Sequence, residues 1–262
     1  MSNQKGKVVL VVGAGSAGGI GFACARAVAE QGARVAIADL AASGLAELAR
    51  SLPGDAAHSA HAMDVTRPES VEKALDEVIA SHREINGAII APGVLYNQPF
   101  LDLTTEAWDK TFAVNCRGVF IAGQAIARRM HAQGKGGRIV AVASNAGFTP
   151  RMSTASYGAS KAAVIQLVRC MALELAKFQI TVNALCPGST ATSMMIDNQA
   201  GGDMSRLEGV IHGSIEQWRT GILLGHLADP SDQGAMAAFL MSDGARHITG
   251  QVMCVDGGQT FY

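Results

Sequence analysis

The sequence predicts an α/β protein: a doubly wound parallel sheet in three layers, α/β/α. Three observations carry this. Short β-rich runs alternate with longer amphipathic helical patterns. The strand runs are apolar throughout, as in Ile139-Val140-Ala141-Val142, which suits strands buried on both faces. The first run also leads straight into a glycine-rich segment that opens a helix.

Strands are expected at Val8–Val12, 34–38, 57–62, 88–91, 137–143, 180–186 and 251–255. Helices are expected at 19–31, from Ala41 with Asp39 as a possible N-cap, and at 68–82, 105–131, 156–177 and 231–241. Thr66 and Asp229 precede Pro68 and Pro230, and proline suits a first helical turn. No repeat or low-complexity linker interrupts the alternation, so residues 1–262 read as a single domain. Residues 193–224, where Gly, Met and Asn mix with polar residues, read as a flap within it.

The 21 basic and 22 acidic residues leave no polybasic footprint for nucleic acid and no gradient toward an anionic membrane. The first residues lead directly into an apolar strand without the pattern of a secretory signal, and no apolar run reaches membrane-spanning length. Five scattered cysteines without a C-x-x-C pair read as buried thiols of a reducing compartment, the cytoplasm. The histidines form no helical i, i+4 pair, so no metal site is expected. The partners left are small molecules or further copies of the chain.

The glycine-rich segment runs Val12-Gly13-Ala14-Gly15-Ser16-Ala17-Gly18-Gly19-Ile20-Gly21. Glycines at a strand-to-helix turn let the backbone approach a pyrophosphate closely, and the free N–H groups and dipole of the helix start favour its charge. Asp39 ends the second strand, where a carboxylate accepts hydrogen bonds from both adenosine ribose hydroxyls. That points to NAD. A 2′-phosphate would meet the carboxylate, and Leu40-Ala41-Ala42 supplies no arginine to offset the repulsion. Asp64 ends the third strand and reads either as an adenine contact or as a surface turn carboxylate.

Tyr157 and Lys161 lie one helical turn apart on one face, a common surface pair when taken alone. Ser144, however, stands at the C-terminal end of a buried strand, the edge where open α/β sheets bind ligands. Asn115 sits inside another long helical pattern.

With these residues in place the sequence resembles the short-chain dehydrogenase/reductase family over essentially its whole length. The matches come in family order: the glycine loop, Asp39, Asp64-Val65, Asn115, Ser144, Tyr157 with Lys161, Pro187-Gly188, and Asp256-Gly257-Gly258. The resemblance implies a Rossmann fold and hydride transfer between NAD and a secondary alcohol or ketone. It implies that Ser144 binds the substrate oxygen, Tyr157 passes the proton and Asn115 anchors a relay water. Lys161 would bind the nicotinamide ribose and depress the tyrosine pKa. An unperturbed tyrosine titrates near ~10, so acting as a base near neutrality asks for roughly 4 kcal/mol of differential stabilisation of the phenolate. The implied cofactor contacts are Gly13, Gly15, Ser16, Gly19, Ile20, Asp39, Asp64, Val65, Ala91, Gly93, Tyr157, Lys161, Pro187, Gly188, Thr190 and Thr192. Thr190 and Thr192 would flank the nicotinamide, or cap the flap helix. The implied assembly is a homotetramer built from the long helices, with Ala159, Ala162 and Ala163 permitting close packing.

The sequence departs from the family pattern twice. From Gly13 to Gly19 the loop is two residues longer than usual, and the fourth strand ends Ile90-Ala91-Pro92-Gly93 where the family has N-N-A-G. Pro92 removes a backbone donor there. The substrate pocket is expected to be lined by Leu95, Tyr96, Met152, Met194, Met195 and Trp218, which suits an apolar or cyclic secondary alcohol. The alternatives are a 3-oxoacyl thioester or other carbonyl reductase and, outside enzymes, a dinucleotide-binding protein without chemistry.

Overall fold

The computed structural model describes residues 4–40, 44–200 and 206–261. In chain order the elements are β1 (Val8–Val12), α1 (Ile20–Glu30), β2 (Arg34–Asp39), α2 (Leu45–Arg50), β3 (Ser59–Ala62), α3 (Pro68–His82), β4 (Gly87–Ile90) and α4 (Thr105–Phe112). There follow α5 (Val119–Gln133), β5 (Gly137–Val142), α6 (Ala155–Leu175), β6 (Ile180–Pro187), α7 (Ser193–Ala200), α8 (Arg206–Ile211), β7 (Gly213–Ser214), β8 (Arg219–Thr220), α9 (Pro230–Met241) and β9 (Val252–Val255). Seven strands form one parallel sheet in the order β3-β2-β1-β4-β5-β6-β9, and β7 pairs with β8 in a separate antiparallel hairpin. The chain builds outward from β1 to β3, then returns to lay β4 on the other side of β1. This reversal opens a crevice at the carboxyl ends of β1 and β4.

Each strand feeds two cores, because successive side chains point to opposite faces. Leu10, Val12, Ala36, Ala38, Ile139 and Ala141 pack on one face against α3, α5 and α6. Val9, Val11, Val35, Ile37 and Val140 pack on the other against α1, α2 and α9. Large side chains such as Leu10, Ile37, Ile89 and Ile139 are fully buried, each contributing roughly 1.5–3 kcal/mol of burial free energy.

Several expectations are corrected. The helix expected over 105–131 is not continuous: α4 and α5 are separated by a π-helical segment, Ala113–Gly118, which contains Asn115. Gly118 closes that segment against Val65, whose Cγ2 would lie 2.6 Å from any added Cβ. The helix expected from Ala41 falls, like Ala42, outside the described residues, and α2 opens after Gly44. Ahead of α3 the Thr66 hydroxyl donates to Asp64 Oδ1 at 2.6 Å, and Arg67 is the N-cap residue. Asp229 does cap α9, its carboxylate accepting from the Ser231 N–H while Asp232 accepts from the Asp229 N–H. Cys170 is exposed rather than buried, whereas Cys24 is buried enough that its thiol is pushed up to about 12. No helix among the described residues is long and apolar enough to cross a membrane.

The helix that opens at the glycine loop is held from behind by α9. Gly234 meets α1 so closely that a Cβ would lie 2.7 Å from the Ala23 carbonyl oxygen. Gly234→Val is expected to lower unfolding free energy by about 1–3 kcal/mol, as overpacking of a close helix contact does. Denaturant titration of the two proteins checks it, and equal midpoints would refute the contact's importance.

Candidate active site

The crevice at the switch point is one cavity of about 590 Å³. At its β1 end the glycine loop is shaped by backbone crowding. Gly13 has φ +83°, and a Cβ on it would lie 2.6–2.7 Å from the Ala91 carbonyl and Pro92 N. Gly21 sits directly under the Gly13 carbonyl, so a side chain there would fall on that oxygen. Gly19 is the N-cap residue of α1, with no side chain capping the helix, so its first-turn N–H groups point out of the helix end beside the cavity. Gly13, Ser16, Gly19 and Ile20 line the cavity, while Gly15 turns away from it: its N–H donates to Asp39 Oδ2 at 2.6 Å. The two extra loop residues are absorbed by a turn in which Gly19 N–H donates to Ser16 O, and Gly18 faces open space. A cradle in which two of the glycines have no room for a Cβ fits a pyrophosphate.

The Asp39 carboxylate lines the cavity and also accepts from the Leu40 N–H at 2.7 Å. Asp64 and Val65 line it beside Asp39, with Asp64 Oδ1 holding both the N–H and the hydroxyl of Thr66. Ala91 and Gly93 close the floor. On the far side Pro187, Gly188, Thr190 and Thr192 follow β6. Gly188 abuts Asp256, which also anchors Asn145, Thr260 and the Gly258 N–H. Thr192 both lines the cavity and accepts from the Met195 N–H at 3.3 Å, as a cap for α7.

At the other end Ser144, Tyr157 and Lys161 come together from β5 and α6. Ser144 lies two residues past the end of β5 with its backbone extended, and its hydroxyl, beside the Tyr157 phenol, accepts from the Ala146 N–H at 3.1 Å. Burial pushes the Tyr157 phenol above its ordinary range; the Ser144 hydroxyl and, more weakly, the Arg151 charge pull it down. Lys161 Nζ lies 5.7 Å from the Tyr157 ring centroid and donates to the Val142 carbonyl at 2.9 Å. Its burial lowers the ammonium from 10.5 to about 8.

Asn115 is fully buried behind the cavity rather than in its wall. Its amide pins Val94 twice, accepting from the N–H at 2.8 Å and donating to the carbonyl at 2.9 Å, and also donates to Ser160 Oγ at 3.2 Å. Leu95, Tyr96, Met194 and Met195 line the cavity as the sequence predicts. Met152 and Trp218 do not: they are 61% and 88% exposed, and their neighbours Arg151 and Arg219 stand in the wall instead. Sequence periodicity gives no sign of this, because both positions lie in irregular turns.

Comparison with known proteins agrees with the geometry. The family model described as Enoyl-(Acyl carrier protein) reductase matches residues 13–260. The 2,3-dihydro-2,3-dihydroxybenzoate dehydrogenase of Bacillus subtilis (strain 168) is 38% identical over 257 residues, covering 98% of this chain and 97% of that protein. The NAD-dependent glycerol dehydrogenase of Listeria innocua is 34% identical over 261 residues, covering 98% and 95%. Among solved structures, a short-chain type dehydrogenase/reductase from Mycobacterium marinum superposes with a TM-score of 0.87 at 32% identity, covering 98% of this chain and 97% of that one. With its glycine cradle, Asp39 and the Ser144-Tyr157-Lys161 group on one cavity, the chain belongs to the short-chain dehydrogenase/reductase family, oxidoreductases that use a nicotinamide dinucleotide.

Proposed function

We propose that the chain oxidises a secondary alcohol to a ketone, reversibly, with NAD, as one catalytic domain whose flap, residues 193–224, of which 201–205 lie outside the described residues, covers the substrate. The observation that carries this is the Tyr157 phenol beside the Ser144 hydroxyl in the same cavity as Lys161 and the glycine cradle. NAD, when bound, supplies the hydride acceptor and a cationic ring. Ser144 holds the substrate hydroxyl, and Tyr157 takes its proton as the carbinol hydride leaves. Burial alone opposes the phenolate, so the tyrosine depends on its neighbours: the Ser144 hydroxyl, the Arg151 charge and the Lys161 ammonium 5.7 Å from the ring. Asn115 is a positioning residue, since its side chain is spent on Val94 and Ser160; any part in a proton relay falls to its main chain.

Asp39 favours NAD over NADP, because a 2′-phosphate would stand against a carboxylate whose hydrogen-bond partners among the described residues are two backbone N–H groups. The substrates named for the two relatives carry adjacent hydroxyls, and a small diol or cyclic alcohol fits this cavity as well. The proposal extends to a cytoplasmic homotetramer assembled through α4, α5 and α6, where Ala159 and Ala162 are exposed and Phe120 stands half out of the surface.

Tyr157→Phe keeps the ring and removes the hydroxyl; kcat is expected to fall at least ~10²-fold with NADH binding retained. Undiminished NAD-linked turnover in that variant refutes the assignment. Steady-state kinetics with both cofactors should give a higher kcat/KM with NADH than with NADPH, and the reverse order contradicts the Asp39 argument. The Lys161 ammonium supplies a pH test. Its folded-state pKa of about 8 lies below the unfolded 10.5, so the native state holds fewer protons between those values and stability rises with pH across them. The penalty for burying the charge is therefore complete below about pH 8. Lys161→Met should be about 1–3 kcal/mol more stable than wild type at pH 7. That gap should close as pH rises toward 10, as denaturant titrations at the two pH values will register; a variant less stable at pH 7 contradicts it.

A further inference from the structure

Gln233, near the start of α9, is fully buried and stands behind the cavity rather than in its wall. Its Nε2 donates to the Val255 carbonyl at 2.9 Å and to Thr190 Oγ1 at 3.2 Å. A backbone carbonyl only accepts, so the amino group is the end of the amide that faces Val255. Oε1 is then left buried, with no donor to it among the described residues. An orphaned acceptor disfavours folding, and an aliphatic side chain of the same length would avoid it. What the glutamine supplies is its two donated bonds.

Both bonds lead to Gly188. The Val255 carbonyl also accepts from the Gly188 N–H at 3.0 Å, and the Thr190 hydroxyl donates to the Gly188 carbonyl at 3.1 Å. One buried amino group thus fixes the peptides on both sides of a glycine that has no room for a Cβ against Asp256. The residues that follow are tied to the chain just ahead of α9: the Ala191 N–H donates to the Ala228 carbonyl at 2.9 Å, and the Ala228 N–H to the Ser189 carbonyl at 3.1 Å. The stretch so held is cavity wall at the reacting end. Val142 pairs with Leu185 in the parallel register of β5 and β6, so the chain beyond β6 runs beside Ser144, and Gly188, Ser189 and Thr190 line the same cavity.

We propose that Gln233 is a positioning residue: it sets the shape of 188–190 as the wall for the nicotinamide end of the dinucleotide, whose ring must reach Ser144 and Tyr157 for hydride transfer. This rests on the reading of the cavity as an NAD-dependent dehydrogenase site. A wall shaped before the cofactor arrives lowers the ordering cost of binding. The adenosine and phosphate end, which belongs to Asp39 and the glycine cradle, does not depend on it.

Calorimetric titration with NADH and with ADP-ribose, which lacks the nicotinamide ring, tests this in wild type, Gln233→Met, Thr190→Val, Thr190→Ser and the double variant of Gln233→Met with Thr190→Val. Gln233→Met removes the donor and the orphaned acceptor together at nearly constant length, so the fold is kept. It should weaken NADH at least ~5-fold, the size expected from one net hydrogen bond, and leave ADP-ribose within about twofold. Thr190→Val should act the same way and Thr190→Ser should keep wild-type affinity. The double variant should be no weaker than the weaker single one, because the two bonds serve one clamp. Parallel loss of both ligands, an unmoved affinity for NADH, or a fully additive double variant overturns the proposal. Should Gln233→Met fold poorly, the Thr190 variants carry the test, and an NADH-to-ADP-ribose ratio unmoved by Thr190→Val overturns it as well. Failure of the dehydrogenase reading has a separate signature: wild type that binds NADH no tighter than ADP-ribose and turns over no secondary alcohol overturns both.

Discussion

The site depends on a close approach of backbone to backbone where the sheet reverses direction. Gly13 leaves β1 with positive φ and presses on the peptide between Ala91 and Pro92 at the end of β4, while Gly21, in the first turn of α1, lies beneath the Gly13 carbonyl. Neither contact admits a Cβ. Together they pull the start of α1 down onto the crevice, so its uncapped N–H groups border the space where the cofactor phosphates belong. Gly234 maintains the same geometry from the opposite side, because α9 can hold α1 at this depth only if no side chain intervenes. The departure at Pro92 belongs to this arrangement: its nitrogen, lacking a hydrogen, is one of the atoms packed nearest Gly13.

The reacting end is built on a different principle, burial of charge beside partners that hold it in place. Lys161 is almost wholly removed from water, its donor fixed on the Val142 carbonyl. Asn115, in the π-helical segment between α4 and α5, spends its amide on Val94 and Ser160 and so ties the loop after β4 to α6, the helix that carries Tyr157. The π-helical segment matters here because an α-helix continued through 113–118 would rotate Asn115 off this alignment. Free energy lost in desolvating Lys161 is thus the counterpart of a tyrosine environment that water alone would not provide.

Most of the fold was legible in the sequence because the signals were periodic. Continuous apolar runs marked β1, β5 and β6, Pro68 marked the start of α3 to the residue, and α9 begins at Pro230, one residue before its expected start. Of the expected site residues, all but Gly15 and Asn115 line the cavity, and these two support it from behind through Asp39 and Val94. The interruption of the helix at 113–118 was not legible, since an extra residue per turn leaves the apolar pattern of 105–131 looking helical throughout.

The substrate wall was misread for a physical reason that also explains its chemistry. Met152 and Trp218 were expected to line it on hydrophobicity, yet each is displaced by the arginine next to it. Both segments contain a non-glycine residue in the left-handed region, Ser153 at φ +61° and Trp218 at φ +48°. Such residues reverse the chain within a single step, so the alternation that assigns side chains to faces does not carry across them. In the hairpin of β7 and β8 the Trp218 turn delivers Arg219 to β8 with its guanidinium toward Ser189, and leaves the indole in solvent. Exposing a tryptophan and partly burying an arginine is unfavourable for folding alone. What Arg219 gains there is a hydrogen bond to the Ser189 hydroxyl, which ties the hairpin to the segment after β6.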